Sequence, residues 1–236
     1  MGKRIIQQRR GRGTLTYRVR KKAFKYRIKY PISEGKAKVL KLINSAGHSC
    51  PLAKIIIGKE IFYNPASKNL FEGQEIEIKT KNIGKGNILL LKNIPIGTEL
   101  YNIESRPGDG GKLVRSGGNS AILTKKQKNK VALMMPSKKE IWIDEKCRAT
   151  IGRIAGEGRL EKPVFKAGKK YYIKKAKSKL WPRTSAVKMN VVDHPFGSGR
   201  GKRIAHGQKG KIPKRNAPPG AKVGTLSPRR TGRRKR

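Results

Sequence analysis

No aspartate or glutamate occurs before Glu34 or after Asp193, although lysine and arginine run the whole length of the chain. Residues 1–33 carry twelve cations without one acid, and residues 194–236 carry fourteen. Like charges at that density oppose collapse, and neither end has the apolar periodicity that would recover the entropy of ordering. Both ends are therefore expected to be arms that order against a polyanion. Over the chain, 59 Lys and Arg stand against 14 Asp and Glu, a formal charge of +45. That surplus makes nucleic acid the leading partner class.

Between Gly35 and Ala155 the acids return, and so do short β-rich runs: VLKLI at 39–43, AKIII at 53–57, EIEIK at 75–79, NILLL at 87–91 and ELYNI at 99–103. SAILT at 120–124, KVALMM at 130–135, EIWID at 140–144 and ATIGRI at 149–154 continue the series. In EIEIK the isoleucines share one face and the charged residues the other, the period of a half-buried strand. With 35% hydrophobic and 6% aromatic residues, the chain supports modest cores. About ten strands at this spacing suit two small five-stranded barrels, divided at the turn-rich IGKGN of 83–87. The expected organisation is a basic arm at 1–34, barrels at 35–84 and 85–160, and a basic extension at 161–236, with few helices. The loop ESRPGDGGKLVRSGGNS at 104–120 is polar and glycine-rich, which places it on a surface, either contacting phosphate or as a long hairpin turn.

The densest functional signal is WPRTSAVKMNVVDHPFGSGRGK at 181–202. Gly197, Gly199 and Gly201 lack side chains that would hold another backbone away. Arg183, Lys188, Arg200, Lys202 and Arg203 surround them, and Trp181, His194 and Phe196 offer faces for a base to stack on. Beyond it, Pro213, Pro218, Pro219 and Pro228 oppose a continuous helix. In the N-terminal arm, Tyr17, Phe24, Tyr26 and Tyr30 either stack on bases or anchor the arm to the body.

Other chemistries are poorly supported. The longest apolar runs fall far short of a membrane span, and no secretory signal is visible. The Arg-rich start has the composition of a mitochondrial transit peptide, but the equally acid-free C-terminal end points to one cause for both. Cys50 and Cys147 form no C-x-x-C pair, and His48, Cys50, Cys147 and His206 have no zinc-site spacing. GDGGK at 108–112 places Leu113 where a phosphate-binding loop needs a hydroxyl, and Arg106 where it needs glycine. Asp193 beside His194 suggests acid-base catalysis only by adjacency, with no nucleophile or second carboxylate. No catalytic residue, metal site or cofactor is expected.

QQRRGRGT at 7–14, PGDGGKLVR at 107–115, CRATIG at 147–152, KAGKKYY at 166–172, WP at 181, MNVVDHPFG at 189–197, RNAPPGAKVG at 215–224 and RRTGR at 229–233 together resemble the L2 family of large-subunit ribosomal proteins, in its archaeal and eukaryotic branch. The resemblance spans nearly the whole chain. It implies a mainly β protein, an OB-fold barrel followed by an SH3-like barrel, with long basic irregular extensions threaded through large-subunit rRNA. It also implies a cytoplasmic, ribosomal location, with rRNA and neighbouring ribosomal proteins as partners, no membrane and no self-oligomerisation. The family's histidine-proline turn lies near the peptidyl transferase region, so His194, Pro195, Gly197 and Gly199 are expected to meet RNA. With the charge pattern, the expected RNA contacts extend to Arg9, Arg10, Arg12, Lys112, Arg115, Trp181, Arg183, Lys188, Met189, Asn190, Phe196, Arg200, Lys202, Arg215, Arg229 and Arg230. The chain departs from the family at Ser185, where arginine is usual and Lys188 is the compensating cation. Ser198 replaces a glycine, and Glu157 interrupts a triple glycine. From composition alone, an architectural DNA-binding protein with basic tails is the alternative.

Overall fold

A computed structural model describes residues 3–80, 82–190, 192–194 and 196–197. The chain forms two compact units, one of residues 19–179 and one of residues 3–18 with the described residues from 180 onward. The larger unit is a single ladder of ten strands: β1 Gly35–Ile43, β2 Leu52–Ile57, β3 Glu60–Pro65, β4 Glu75–Ile78, β5 Ile88–Leu90, β6 Glu99–Tyr101, β7 Ala121–Gln127, β8 Lys130–Met134, β9 Glu140–Asp144 and β10 Arg148–Ile151. Their order across the sheet is β3-β2-β1-β4-β5-β10-β6-β7-β8-β9. Neighbours pair antiparallel except β4 and β5, which meet in parallel at Ile78 and Ile88. Among the described residues two α-helices, α1 Ile6–Gly11 and α2 Ala167–Ala176, lie outside the ladder.

Nine of these strands overlap the β-rich runs of the sequence. β3 does not, and its presence puts four strands before the 83–87 turn and six after it, rather than five and five. The alternation read in EIEIK is present, with Ile76 and Ile78 buried and Glu75 exposed. β1 shows the same pattern at Ala37 and Val39 until a register shift between Val39 and Lys41 against β2.

Two large apolar cores form on this ladder, beside a smaller cluster of Cys50, Leu52, Tyr101 and Ile154. One gathers Val39, Ile55, Phe62, Ile76, Ile78 and Ile88. The other gathers Leu89, Leu100, Leu123, Val131, Leu133 and Ile143. Successive side chains on a strand point to opposite faces, so Ile88 and Leu89, adjacent on β5, serve different cores. β10 is buried along both faces. Ala149 and Ile151 enter the second core, while Arg148 and Thr150 face a polar seam.

In that seam the N-terminal arm is clamped to the body. Arg148 donates through Nε and Nη2 to Glu104 Oε1 at 3.1 and 2.9 Å, and through Nη1 to the Pro31 carbonyl at 2.6 Å. Glu104, fully buried, also accepts the N–H groups of Arg148 at 2.8 Å, Gly110 at 3.1 Å and Gly108 at 3.3 Å. The Tyr30 hydroxyl donates to the Asn102 carbonyl at 2.6 Å and lies 2.7 Å from Thr150 Oγ1. A phenol has one proton, so Thr150 is the donor in the second contact. Burial holds the Tyr30 phenol well above its usual pKa, keeping that proton in place. Of the two roles open to the arm's aromatics, Tyr30 and Tyr26 are anchors: Tyr30 is buried and Tyr26 packs 5.0 Å from Tyr63.

The 104–120 loop also differs from the surface segment expected. Glu104, Gly110, Gly111 and Gly117 are buried. Its glycines leave room for the chain to wrap a buried carboxylate. A Cβ on Gly111, whose φ is +84°, would stand 2.5 Å from the Asn102 carbonyl oxygen.

Removing one partner of a buried, hydrogen-bonded ion pair strands the other in a low-dielectric site. Glu104→Ala is expected to cost about 3–5 kcal/mol, read as a lower denaturant midpoint. A change below about 1 kcal/mol, the scale of exposed pairs, would show that the seam does not hold the fold. Asp109 gives a pH test. Burial pushes its carboxyl up, but the Ser105 hydroxyl and the N–H groups of Gly111, Ser105 and Arg106 outweigh this and hold it below its usual value. A depressed carboxylate stabilises above its unfolded pKa and loses that contribution as pH falls through its folded value. Hydrogen-exchange protection of the Gly111 amide, which donates to Asp109 Oδ1 at 3.0 Å, should persist at neutral pH. It should survive acidification through the ordinary aspartate range, roughly pH 4, and be lost only below it.

Candidate nucleic-acid interface

The smaller unit joins the N-terminus to the 180–197 segment. The Lys3 N–H donates to the Val192 carbonyl at 2.7 Å, and Lys3 Nζ lies 3.4 Å from Asp193 Oδ1. Ile5 is buried, and its N–H donates to Gln8 Oε1 at 3.2 Å, closing the first turn of α1. No acid opposes Arg9 and Arg10 in the last turn of that helix.

On the other segment a short 3-10 turn at Ala186–Lys188 leads into a tight reversal. The Asn190 carbonyl accepts the N–H groups of Asp193 at 3.0 Å and His194 at 3.1 Å, and the His194 carbonyl accepts that of Gly197 at 2.8 Å. The His194 ring is buried, and its Nδ1 accepts the Phe196 N–H at 3.1 Å, with the two rings 5.0 Å apart. An imidazole nitrogen that accepts carries no proton, so the neutral ring has its hydrogen on Nε2. Asp193 is paired with Lys3, and no contact couples it to the His194 ring among the described residues. The acid-base dyad suggested by adjacency is not assembled here.

Gly197 has a role in the turn that its sequence context does not show. A Cβ there would stand 2.3 Å from the Met189 carbonyl oxygen and 2.5 Å from that of Asn190. Its bare face is occupied by the chain's own backbone, so the turn itself requires the glycine.

Between the two segments lies a cavity of about 570 Å³. Arg9, Arg183, Met189 and His194, all singled out in the sequence, line it together. Arg4, Gln7 and Thr184 line it as well and were not singled out, since nothing in the sequence shows α1 facing residues 183–194. Arg10, Arg12, Lys188 and Asn190 are exposed, and Trp181 and Phe196 are half-buried. Lys112 and Arg115 belong to the larger unit. Lys112 is exposed, 3.5 Å from Asp109. Arg115 is half-buried and donates through Nε to Asn102 Oδ1 at 2.8 Å and through Nη2 to the carbonyls of Ile28, at 3.1 Å, and Gly111. Pro195, Gly199, Arg200, Lys202, Arg215, Arg229 and Arg230 lie outside the described residues.

α2 is a further feature that the sequence did not declare. It has no buried residue, and its lysines face no acid on the helix. Tyr171 and Tyr172 stand edge to face at 5.5 Å, with Lys175 Nζ 5.4 and 6.0 Å from their ring centres. Just beyond it, burial and then the charges of Arg159, Lys179 and Lys174 lower the pKa of Lys177. Glu157, by contrast, is spent internally, 2.9 Å from Lys68 Nζ and paired with Arg153. Those partners hold its carboxyl below the usual range. Cys50 and Cys147 are buried free thiols, pushed up to about 11 and about 12 by burial. Among the described residues no three His, Cys, Asp or Glu side chains gather to hold a metal ion, and no helix is long and apolar enough to cross a membrane.

Residues 84–216 match the model of the C-terminal domain of ribosomal proteins L2. The chain belongs to the L2 family of ribosomal proteins. Over its full length, and theirs, it is 46% identical to the large ribosomal subunit protein uL2 of Hyperthermus butylicus and 44% identical to those of Archaeoglobus fulgidus and Methanothermobacter thermautotrophicus. The fold is the L2 one, mainly β, with an OB-fold barrel followed by an SH3-like barrel and long basic extensions. The segment matched to the L2 domain holds the 104–120 loop, α2 and the reversal at 189–197.

The close approach at Gly197 yields a measurable consequence. Gly197→Ala should open the reversal and expose the His194 ring. In peptide-mapped diethyl pyrocarbonate labelling, His194 should be protected in the wild-type chain and modified in the variant. Equal modification would mean that the turn tolerates a Cβ.

Proposed function

We propose that this chain is a structural constituent of the large ribosomal subunit, where it binds and organises large-subunit rRNA near the peptidyl transferase region and supports subunit assembly and translation. The observation that carries this reading is the full-length likeness to proteins each named large ribosomal subunit protein uL2. Electrostatics supports it independently. A formal charge of +45 cannot be neutralised within the chain, and clustered cations such as those around Lys177 repel one another until an anion joins them. In this reading rRNA phosphates meet the exposed cations of the arms, of the cavity rim and of α2. The barrels at 35–84 and 85–160 act as the body that carries the extensions. Neighbouring ribosomal proteins complete the set of partners in the cytoplasmic ribosome, and the protein acts as a monomer.

The protein's part is positional rather than catalytic. Asp193 is engaged by Lys3 and His194 Nδ1 by a backbone N–H, so neither is arranged to move a proton for the other. The architectural DNA-binding alternative draws no support from the relatives.

Sucrose-gradient fractionation of cells carrying a tagged copy tests the proposal, with the protein expected in the large-subunit and ribosome fractions. Recovery with chromatin or free DNA would overturn it. Binding to isolated rRNA should weaken linearly in log salt with a slope of about 0.7–0.9 per phosphate contact. Deleting both acid-free ends should flatten that slope, and an unchanged slope would move the contacts onto the barrels.

A further inference from the structure

An RNA backbone lying on a basic surface needs cations, but it does not need a cavity. The space between α1 and the 183–194 segment, about 570 Å³, falls within the range of roughly 300–1,000 Å³ that encloses small organic ligands. Its lining is divided by chemistry. Arg4, Arg9 and Arg183 are exposed and bring three cations to the opening. Ile6, Ala186 and Met189 are half-buried and supply apolar surface, and His194 is buried. The one acid in the lining, Asp193, is already paired with Lys3 at 3.4 Å.

His194 adds direction. Because its Nδ1 accepts the Phe196 N–H, its neutral ring is a donor through Nε2. Gln7 offers an amide donor and an acceptor from the α1 side. A flat heterocycle with acceptors on its edge, attached to a phosphate, matches an apolar, hydrogen-bonding interior with a cationic rim. RNA residues that leave the stack present that combination, since their edges and faces are then open to protein.

We infer that this cavity seats one unstacked nucleotide of the bound rRNA, its base inside against Met189 and His194 and its phosphate at the rim with Arg4, Arg9 and Arg183. This rests on the reading of the chain as an rRNA-binding protein and specifies how the smaller unit engages its RNA. The apolar lining returns part of the unstacking cost, and the cavity excludes fully paired RNA, whose bases stay in the stack.

The test uses the full-length chain and three labelled RNA hairpins: one with a single bulged purine nucleotide, the same hairpin with an abasic residue at the bulge, and one fully paired. Fluorescence anisotropy should show the purine bulge binding about tenfold tighter than the abasic bulge, the scale of one buried base contact. Ala186→Trp, which fills the cavity without changing charge, should bring that ratio to about one. A readout on the unaltered chain guards against misfolding of the variant: the Met189 ¹³C-methyl resonance, assigned with Met189→Leu, should shift with the purine bulge and not with the abasic hairpin. Equal affinity for the two bulged hairpins, with no methyl shift, would overturn the proposal. So would a free purine 5′-monophosphate binding as tightly as the bulged hairpin, because the site would then serve a free nucleotide. Salt-sensitive but equal binding of all three hairpins defeats the cavity assignment alone, whereas failure of every hairpin to bind defeats the rRNA-binding reading itself.

Discussion

The larger unit depends on a charge held away from water. Glu104 is fully buried, and its carboxylate is stable there only because Arg148 and three backbone N–H groups converge on it. That requirement fixes several things at once. It draws the 104–111 loop inward so that Gly108 and Gly110 can donate, and it sets Arg148 on the face of β10 opposite the apolar core. The remaining donor of Arg148 then goes to the Pro31 carbonyl, tying the N-terminal arm to the seam. Beside it a directed chain of hydrogen bonds runs from Arg115 to Asn102, to Asn64, to Thr150 and to Tyr30, returning to the Asn102 carbonyl. Each donor in that chain has one acceptor, so removing any one member leaves a buried polar atom unmet.

This arrangement reconciles a strongly cationic chain with a folded one. The acids sit where they neutralise the body: Glu34 with Lys79, Glu140 with Lys125, and Glu157 with Lys68 and Arg153. Such exposed pairs contribute little stability individually, but they keep like charges apart across the ladder. Where the acids stop, so does internal compensation, and α2 stands with lysines and tyrosines in solvent. Neither α1 nor α2 carries an acid of its own.

The strands were largely legible because their buried residues are apolar and alternate. β3 was not, since Asn64 is buried in the polar seam while Ile61 is exposed, which breaks the expected pattern. α2 was hidden for the opposite reason: with no buried face it shows no apolar period, and its lysines read as another charge run. The ion pair of Glu104 and Arg148 joins residues 44 apart in sequence, and no local rule links them. Tyr30 was recognised as an anchor or a stacking residue, but choosing between them required Thr150 and Asn102. In the smaller unit the participating residues of 183–194 were visible by composition. Their assembly with Arg4 and Gln7 was not, because it depends on the Lys3 to Val192 hydrogen bond.

Cation count is therefore a poor guide to which arginines are open to an external anion. Arg115 lies in one of the motifs that carry the resemblance to the family, yet its Nε and Nη2 donors hold Asn102, Ile28 and Gly111. Burial lowers its pKa, while the nearby Asp109 carboxylate acts in the opposite sense. Arg183 and Arg9 have the same chemistry but stand exposed around a cavity. On the rRNA-binding proposal, a guanidinium in the first setting would act by shaping the loop that carries Lys112, and one in the second by meeting phosphate directly. The two kinds of contribution differ in salt dependence, because only a cation that displaces counterions from phosphate adds to the slope. Charge alone does not distinguish the two kinds of arginine, and burial is what separates them.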